Sequence, residues 1–552
     1  MKFFKSTLHN KMTGIIGILG LAMFVLGSSC GSSVDVTFRL VPPCSDPSVL
    51  TGANCKFVKV TISSLDPSDP LHPSQVANNL GPRRTTCNMS EGHCKISGDD
   101  LVGAGRMVDV LCYPELDVAP VARATSQSLL MDSSSDGVGG LKASLLLGNI
   151  LGFVETTVTD PADPEFSKCS MMAESAGRYG HAAVTLQDGR VLITGGMRRF
   201  GQGVEEILAT AEIFDPGTGV HRLILGPDGQ ALKMHASTGR AYHTMTLLRD
   251  GRVLIAGGIG TISNAKAALR SAEIFDPVTE TFTSPMDMGV ARAHHTATTL
   301  ATGQVLITGG ATYTNGTISN YLNNAVIFDP SGGTWTPVSN TMSTGRAFHQ
   351  AVLLDPTTTQ GKVLIMGGEN SNGTLSSVDI FNPNGLQFYS GVDVTMSTSR
   401  SRFCAVRLPS GRVLVAGGTT VADDPGTPDS GIEVYDISSG STGFGAFASA
   451  SANLNVARMG QSCAVLEDGS VVVAGGLTSS GQATGVGELI RDNDNVYTVE
   501  SLPDPLDPAR FEQAAVMLKN GWFLLTGGLS SSASDATALR QSVLFVPQPL
   551  NP

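Results

Sequence analysis

The sequence predicts an all-β protein in which seven copies of one four-stranded unit form a closed ring, a β-propeller. In each copy two apolar segments are joined by a short turn, and the second segment ends in a pair of glycines. The copies recur with a period of roughly 50–60 residues, which is the range expected of propeller blades. Four antiparallel strands make one blade, so seven copies predict a seven-bladed propeller.

The clearest copy of the repeat lies at residues 239–258. Its turn is Asp250-Gly251, a dipeptide that suits a tight hairpin because both central residues accept positive φ. A double glycine that closes a strand marks a bend or a place where another backbone comes very close. The seven pairs are Gly195-Gly196, Gly257-Gly258, Gly309-Gly310, Gly367-Gly368, Gly417-Gly418, Gly475-Gly476 and Gly527-Gly528.

A third strand follows each glycine pair after a loop of variable length. It reads Ala-Glu-Ile-Phe-Asp-Pro at residues 211–216 and 272–277, with weaker copies later in the chain. Alternate residues of this pattern face opposite sides, as a half-buried strand requires, and the Asp-Pro end is a turn signal. A fourth strand carries an aromatic residue, such as Phe282, Trp335, Phe388 or Tyr497.

The glycine pair, the Glu-Ile-Phe-Asp-Pro strand and the Thr-Trp strand resemble those of the kelch family, especially the bacterial kelch and galactose-oxidase-like propellers. The resemblance covers about residues 165–552, two thirds of the chain. It implies a seven-bladed kelch β-propeller at residues 161–552. Because propellers of this kind carry many unrelated activities, the resemblance specifies the fold far better than the function.

The ends of the repeat region predict how the ring closes. The last copy stops at its third strand, residues 543–546, so its fourth strand must come from elsewhere in the chain. Residues 165–172 precede the first repeat and read as an orphan strand. We therefore predict that residues 165–172 complete the seventh blade, which would leave no exposed sheet edge there.

Residues 1–30 are typical of an export signal. Lys2, Lys5 and Lys11 form a basic start, and residues 15–26 are an apolar run too short to span a bilayer comfortably. The small residues before Cys30 resemble a bacterial lipoprotein cleavage site, and Gly31 resembles the pattern of lipoproteins sent to the outer membrane. We therefore expect a lipid anchor on Cys30 and a location at the bacterial outer membrane, on its periplasmic side or at the cell surface. An ordinary secretory leader with a free Cys30 is the alternative.

Residues 31–160 predict a separate, small β-sandwich that contains disulfides. Short strands are expected at residues 34–40, 57–63, 107–113, 119–125, 141–147 and 153–158. This segment matches no family that we recognise.

Cysteine usage fits an exported chain. Six cysteines in or just after the predicted sandwich suggest three disulfides, for which 15 connectivities are possible. We expect the pairs Cys44–Cys55, Cys87–Cys94 and Cys112–Cys169. Cys404 and Cys463 sit one register apart on adjacent blades, so we expect them to face apart and to remain buried free thiols.

Each repeat opens with an arginine, which has two interpretations. A ring of arginines at one channel mouth would suit acidic sugars or carboxylates. Alternatively, each arginine pairs internally, because unpaired buried charge is costly. Candidate partners are Glu212, Glu273, Asp379, Glu433 and Glu488, and the arginines are Arg178, Arg240, Arg292, Arg346, Arg400, Arg458 and Arg510.

Four repeats place a histidine three residues after the arginine: His181, His243, His295 and His349. By the resemblance, these residues lie on the innermost strand near the central channel. They could contribute to a ligand or metal site, or they could be structural, with ring nitrogens bonded to neighbouring backbone. The structural interpretation is favoured because each histidine occupies a repeat position on a different blade.

The resemblance to galactose oxidase raises copper as a cofactor. Phe403-Cys404 and Tyr435 stand at repeat positions like those of that enzyme's cysteine-linked tyrosine, and Tyr242-His243 resembles its Tyr-His pair. No domain follows the propeller to supply the last histidine ligand, and the cysteine spacings fit no usual zinc site. The sequence therefore favours no metal and no cofactor.

Composition and motifs bound the function. The formal net charge of −12, without basic blocks, argues against a nucleic-acid partner. No nucleophile elbow, phosphate-cradling loop or zinc-protease helix is present. Long polar loops follow the glycine pairs and should emerge on one face, where recognition usually sits.

The leading interpretation is a monomeric, non-catalytic envelope protein that presents this loop face to a protein or glycan and contacts the membrane through its lipid anchor alone. A carbohydrate-active or copper-radical enzyme that uses the channel mouth is the alternative. A purely structural envelope protein is the third.

Overall fold

The computed structural model describes the backbone of strands between residues 34 and 155, residues 172–173, and residues 177–547 with short gaps. The gaps are residues 201–203, 217–218, 235–238, 423–426 and 441–442. The leader with Cys30 and the predicted closing segment 165–171 lie outside the described residues, and so do the side chains of the three predicted N-terminal disulfides. Among the described residues, no helix combines the length and the apolar character needed to cross a bilayer.

The N-terminal strands form two sheets. A three-stranded sheet has the order β4-β1-β8, and a larger sheet has the order β3-β2-β5-β6-β9 with β7 paired to β5. The five strands predicted between residues 34 and 147 are all present, and β3, β4, β7 and β9 are additional. The strands are β1 (Val34–Val41), β2 (Phe57–Ser64), β3 (Arg83–Asn88), β4 (Cys94–Gly98), β5 (Gly103–Tyr113), β6 (Ala122–Thr125), β7 (Leu129–Met131), β8 (Lys142–Leu146), β9 (Gly148–Asn149) and β10 (Phe153–Glu155).

The repeats fold into the seven predicted blades of antiparallel strands. Blade 1 contains β11 (Ala182–Thr185), β12 (Val191–Thr194), β13 (Met197–Phe200), β14 (Val204–Ile207), β15 (Ala211–Asp215) and β16 (Val220–Leu223). Blade 2 contains β17 (Thr244–Leu247), β18 (Val253–Ala256), β19 (Ile259–Ile262), β20 (Ala265–Ala268), β21 (Ser271–Asp276), β22 (Thr281–Phe282) and β23 (Met286–Asp287). Blade 3 contains β24 (Thr296–Thr299), β25 (Val305–Thr308), β26 (Ala311–Thr314), β27 (Thr317–Tyr321), β28 (Ala325–Asp329) and β29 (Thr334–Pro337).

Blade 4 contains β30 (Gln350–Leu353), the short helix α1 (Pro356–Thr359), β31 (Val363–Met366), β32 (Glu369–Asn370), β33 (Gly373–Thr374), β34 (Val378–Asn382) and β35 (Gln387–Phe388). Blade 5 contains β36 (Cys404–Arg407), β37 (Val413–Ala416), β38 (Ile432–Asp436) and β39 (Ala446–Ser449). Blade 6 contains β40 (Ser462–Val465), β41 (Val471–Ala474), β42 (Glu488–Asn493) and β43 (Val496–Ser501). Blade 7 contains β44 (Ala514–Met517), β45 (Phe523–Thr526) and β46 (Ser542–Phe545).

The apolar core lies between blades. The second strand of every blade is buried along its whole length, which explains its continuous apolar sequence. Leu192 of blade 1 packs with Val253 and Ile255 of blade 2, whereas Val191 and Ile193 pack towards blade 7. Alternate residues of one strand therefore serve the two neighbouring interfaces, and each interface buries apolar area worth about 25 cal/mol per Å².

The ring closes between blades 7 and 1. Val191 and Ile193 pack against Leu524 and Leu544, and the N–H of Gly528 donates to the carbonyl of Arg178 at 2.9 Å. The outer position of the seventh sheet belongs to β10, which pairs antiparallel with β46.

This pairing corrects two predictions. Residues 165–172 were expected in the position that β10 occupies, and residues 153–158 were expected in the N-terminal sandwich. Closure from the N-terminal side is confirmed, but the strand is a different one. The apolar pattern of a short segment predicts that it forms a strand. It does not predict which strand it pairs with, and here the partner lies nearly 400 residues away.

A disulfide joins Cys404 on β36 to Cys463 on β40, with Cα atoms 6.0 Å apart. The prediction of two free thiols is therefore wrong. Residues one register apart do point to opposite faces of their own strands. Neighbouring blades stack face to face, however, so one face of β36 packs against the opposite face of β40. Cysteines that point to opposite faces of their own strands therefore point towards each other across this interface.

Candidate functional site

The seven repeat-opening arginines lie inside the scaffold, each 0–1% exposed. In every blade the arginine Nη1 donates to the carbonyl of the first glycine of the pair, over 2.6–3.1 Å. The N–H of the second glycine then donates to the carbonyl of the next blade's arginine, over 2.8–2.9 Å in all seven cases. Arginine and glycine pair together therefore link one blade to the next, and the predicted close approach of another backbone is confirmed.

Five arginines also meet the carboxylates that were proposed as partners. The pairs are Arg178–Glu212, Arg240–Glu273, Arg346–Asp379, Arg400–Glu433 and Arg458–Glu488. In blade 3, Arg292 instead donates to the amide oxygen of Asn324 at 2.8 Å. Internal pairing is thus the interpretation that the structure bears out. The alternative of a cationic ring at a channel mouth is wrong, because the guanidinium groups are covered on all sides.

Two residues after each arginine, the backbone turns into the channel in the left-handed conformation, with φ between 51° and 64° in all seven blades. At six of the seven junctions the N–H donates to the carbonyl of the equivalent residue in the preceding blade, over 2.7–3.3 Å. We call these residues the mouth ring: Gly180, Tyr242, His294, Phe348, Arg402, Gly460 and Glu512. Left-handed backbone costs a non-glycine residue about 1–2 kcal/mol and clusters at functional sites.

Side chains of the mouth ring stack on one another. The ring centroids of Tyr242 and His294 are 4.4 Å apart, and those of His294 and Phe348 are 4.0 Å apart. The guanidinium carbon of Arg402 lies 3.9 Å from the centroid of Phe348, a cation–π contact. Arg402 also donates to the buried carboxylate of Glu369 at 2.8 Å. The stack is therefore fixed at its cationic end.

The other end of the stack is a hydrogen-bonded acid pair. The hydroxyl of Tyr242 donates to Glu512 at 2.7 Å, reaching across the intervening position Gly180. A Cβ on Gly180 would lie 2.8 Å from the tyrosine ring, so any larger residue at that position would have to displace the ring. Burial raises the pKa of the Glu512 carboxyl, although the Tyr242 hydrogen bond opposes this. Burial, together with the Glu512 charge, also raises the pKa of Tyr242.

One residue further on, each blade contributes a second side chain to the channel. The set is His181, His243, His295, His349, Phe403, Gln461 and Gln513. Each histidine Nε2 bonds a threonine hydroxyl of the preceding blade, over 2.8–3.0 Å, rather than the backbone that we expected. Burial and the nearby Arg292 lower the pKa of His295 to about 3. The histidines therefore hold blades together as neutral groups.

Both sets of residues line one axial cavity of about 490 Å³. This volume lies in the range of small-molecule sites. Burial, and secondarily the charge of Arg402, lowers the pKa of His294 in its wall. Sequence reasoning missed the mouth ring, although a signal existed: the two residues between the repeated arginine and histidine positions differ from copy to copy, and the second of them differs most.

The loops that follow the glycine pairs lie on the face of this mouth, and a single face for these loops is what the sequence predicted. In every blade the residue after the glycine pair bridges to the residue after the arginine, for example Met197 to Tyr179. In blades 1 to 4 these loops form two-stranded hairpins. The face that carries the mouth ring is therefore also the hairpin face, and the turns that join first and second strands lie on the opposite face.

A charged cluster ties the first two hairpins together. Glu205 of blade 1 accepts hydrogen bonds from Lys266 of blade 2 at 2.6 Å, from Arg199 at 2.8 Å and from the Tyr179 hydroxyl. Burial alone would raise the pKa of Glu205, but these three donors lower it to about 2. The rim of the mouth is therefore a fixed wall on this side.

The residues that resemble a copper-radical centre do not fit one. Cys404 is bonded to Cys463, so it is not available for a link to tyrosine. Tyr435 is buried, and its hydroxyl donates to the carbonyl of Phe444 at 2.5 Å. The Nε2 of His243 is engaged by Thr194 at 2.8 Å. Among the described residues, no group of three or more His, Cys, Asp or Glu side chains is placed to hold a metal ion.

No protein-family model matches this sequence, and no curated protein matches it. Among solved structures, a fungal alcohol oxidase of the AA5 family in complex with copper aligns with 67% of this chain and 74% of its own, at 16% identity and a TM-score of 0.47. The structure of YjhT aligns with 60% of this chain and 100% of its own, at 16% identity and a TM-score of 0.43. The strand order of the chain's own sheets establishes the seven-bladed propeller.

Proposed function

We propose that this protein is a ligand-binding propeller of the bacterial cell envelope and that its recognition site is the axial cavity beneath the mouth ring. The observation that carries the proposal is how the blades differ. Their arginines, glycine pairs and buried strands are nearly interchangeable, whereas the mouth ring brings five different side chains and two glycines to one belt. The residues that differ most between blades therefore line the cavity where a ligand would lie. Hydrogen bonds between neighbouring mouth-ring residues hold their backbone in place, which lowers the entropic cost of binding.

The chemistry of the cavity favours a hydroxyl-rich ligand, which we take to be a sugar unit of a glycan. Its wall combines a carboxyl, a guanidinium and a tyrosine hydroxyl, and its floor adds histidine and glutamine side chains. Hydroxyl groups both donate and accept hydrogen bonds, so a sugar can match such a mixed lining. A large apolar ligand would leave these polar groups without partners, which is costly in a half-buried site.

The expected leader and the acylated Cys30 complete the proposal. A lipid anchor on Cys30 would hold a monomeric propeller at the outer membrane. Mass spectrometry of the purified protein from its native membrane tests this part. An unmodified Cys30, or cleavage at another residue, would contradict it.

A glycan array probed with the full-length protein, followed by calorimetric titration of the sugars that bind, tests the function. Arg402→Gln should weaken binding at least tenfold, because it removes the charge of the stack but keeps a hydrogen-bond donor for Glu369. The matched control is Arg252→Gln. Arg252 pairs with Asp250 at 2.6 Å in a turn on the opposite face, and this substitution should leave affinity unchanged. Absence of any binding, or equal effects of the two substitutions, would overturn the proposal.

A second candidate function is acid–base catalysis on the bound sugar. It is favoured by the Tyr242–Glu512 pair, in which a carboxyl with a raised pKa is bonded to a hydroxyl in the cavity wall. Such groups are typical of general acids. Time-resolved NMR of each bound sugar tests it. Catalysis requires a change in the sugar that Glu512→Gln abolishes while binding persists, and an unchanged sugar spectrum would leave binding as the function.

A further inference from the structure

The mouth ring has one open position, Gly460. The other glycine position, Gly180, is covered by the Tyr242 ring. A Cβ built on Gly460 meets no atom within 4 Å. Contacts run from Glu512 through the stack to Arg402, and Gly460 is the mouth-ring residue between these two charged ends. The wall of the cavity therefore has a notch, flanked by a guanidinium on one side and a carboxyl on the other.

Two glutamines lie next to this notch in the cavity lining. The Nε2 of Gln461 donates to the carbonyl of Ala416 at 2.7 Å, which fixes the orientation of the amide. The Nε2 of Gln513 donates to the Ser462 hydroxyl at 3.0 Å and to the carbonyl of Ala474 at 3.3 Å. The Oε1 atoms of both glutamines are buried and have no partner among the described residues.

Buried carbonyl oxygens are nearly always paired, so an unpartnered oxygen on a side chain that lines the cavity favours a ligand that brings a hydrogen-bond donor. Gln461 is only 8% exposed, which makes an unpaired oxygen there more costly than one at the surface. A carboxylate or phosphate would present acceptors to acceptors at this spot. A sugar ring presents hydroxyl donors, and adjacent hydroxyls could serve both oxygens at once.

We propose that the Gly460 notch is a sugar subsite, in which hydroxyls of one ring donate to Oε1 of Gln461 and Gln513 between Arg402 and Glu512. This inference rests on the proposed function and makes it more specific. It names the side of the cavity that holds the ligand, and it names neutral, hydroxyl-rich rings as the preferred class over uronic acids. It also explains why residue 460 is a glycine. Five members of the mouth ring adopt the same backbone conformation with a side chain, so the conformation alone does not require glycine.

Gly460→Asn tests the subsite by filling it. Five other mouth-ring residues carry side chains at φ of 51–53°, and asparagine tolerates this region well, so the fold should accept the change. The matched control is Gly411→Asn. Gly411 has φ of 85° and the same free space, but it lies in a turn on the opposite face. Thermal unfolding of both variants checks their folding, and Gln461→Met provides a second way to remove the subsite should Gly460→Asn fail to fold.

The probes are D-galactose, D-glucose, N-acetyl-D-glucosamine and D-glucuronate, titrated calorimetrically into the full-length protein. We expect at least one neutral sugar to bind more tightly than D-glucuronate. Its affinity should fall at least tenfold in Gly460→Asn and in Gln461→Met, and should be unchanged in Gly411→Asn. A sugar that binds Gly460→Asn as well as the unaltered protein would overturn the subsite and leave the proposed function standing. Failure of all four sugars and of the glycan array would overturn both.

Discussion

Each repeat depends on one buried arginine, and Arg346 shows why. Its guanidinium donates to the carbonyls of Gly367 at 2.9 Å and Ser377 at 2.8 Å, and to the carboxylate of Asp379 at 2.6 Å. Both charged side chains are buried, with exposed fractions of 0% and 5%. A buried pair of this kind is weak evidence for net stability, but the loss of one partner leaves an uncompensated charge.

Arg346→Met should therefore destabilise the protein by about 3–5 kcal/mol, measured by urea unfolding. The double variant Arg346→Met, Asp379→Leu removes both charges and should lose less stability than the single variant. Equal losses would mean that the carbonyl contacts, rather than the ion pair, determine the role of the arginine.

The channel histidines should make stability depend on pH. Burial and Arg292 lower the pKa of His295 to about 3 in the folded protein, against about 6.5 in the unfolded chain. The unfolded chain therefore binds an extra proton between these values. Stability is fully present above pH 6.5 and is lost as the pH falls, at about 1.4 kcal/mol per unit for each such histidine.

His295→Gln should reduce the loss of stability between pH 7 and pH 5, because glutamine occupies the same repeat position in blades 6 and 7 and does not titrate. Urea unfolding at the two pH values measures the difference. An identical pH dependence in variant and unaltered protein would show that His295 does not contribute.

At the scale of elements, the Cys404–Cys463 disulfide crosslinks the innermost strands of blades 5 and 6 across 59 residues. Closure of a loop of this length in the unfolded chain corresponds to about 4 kcal/mol. Cys404→Ala should therefore lower stability by an amount of this order, measured by urea unfolding under non-reducing conditions. The double variant with Cys463→Ala should lose about as much. Added reductant should destabilise the unaltered protein more than the double variant, because the three predicted N-terminal disulfides are common to both proteins. Equal sensitivity of the two proteins to reductant would contradict the crosslink.

Local patterns predicted the elements because each depends on neighbours in sequence. The turn dipeptides, the glycine pairs and the apolar second strands all have a local physical cause, and the internal pairing of Arg178 with Glu212 followed from the cost of buried charge. The failures concern contacts between distant elements. The Cys404–Cys463 bond depends on how blades stack, and the partner of β10 depends on where the ring closes.

The candidate site was predicted only in part. The sequence predicted one loop-bearing face and a central channel, but it singled out the repeated arginines and histidines. Repetition marks what every blade needs for its own stability. The mouth ring became visible only when the structure showed that seven residues of six different types share one backbone conformation and one belt of hydrogen bonds.

At the scale of the whole molecule, seven similar blades surround one cavity whose lining differs from blade to blade. The position of each lining residue depends on the ring staying closed. Closure between blades 7 and 1 occurs at two radii. Near the axis, His181 bonds Thr526 at 2.8 Å, and Gly528 bonds Arg178 at 2.9 Å. At the periphery, β10 covers β46, whose edge would otherwise be open. The Gly528–Arg178 contact has equivalents at the other six junctions, and the His181–Thr526 contact has equivalents at three of them, whereas the outer strand is specific to this junction.

Val154→Pro should weaken the peripheral closure of the ring and leave the contacts near the axis intact. Val154 lies at the centre of β10 opposite Leu544, and proline removes a backbone donor and fits poorly in a paired strand. We expect hydrogen exchange to accelerate at Val543 and Leu544 and the temperature of unfolding to fall, while the amides of β18 and β25 keep their protection because the inner links remain. Val154→Thr is the control, since it keeps a β-branched residue and its backbone donor, and it should change little. Unaltered protection of β46 in Val154→Pro would mean that β10 does not hold the outer edge of the seventh blade, and the peripheral closure would then have to come from another segment.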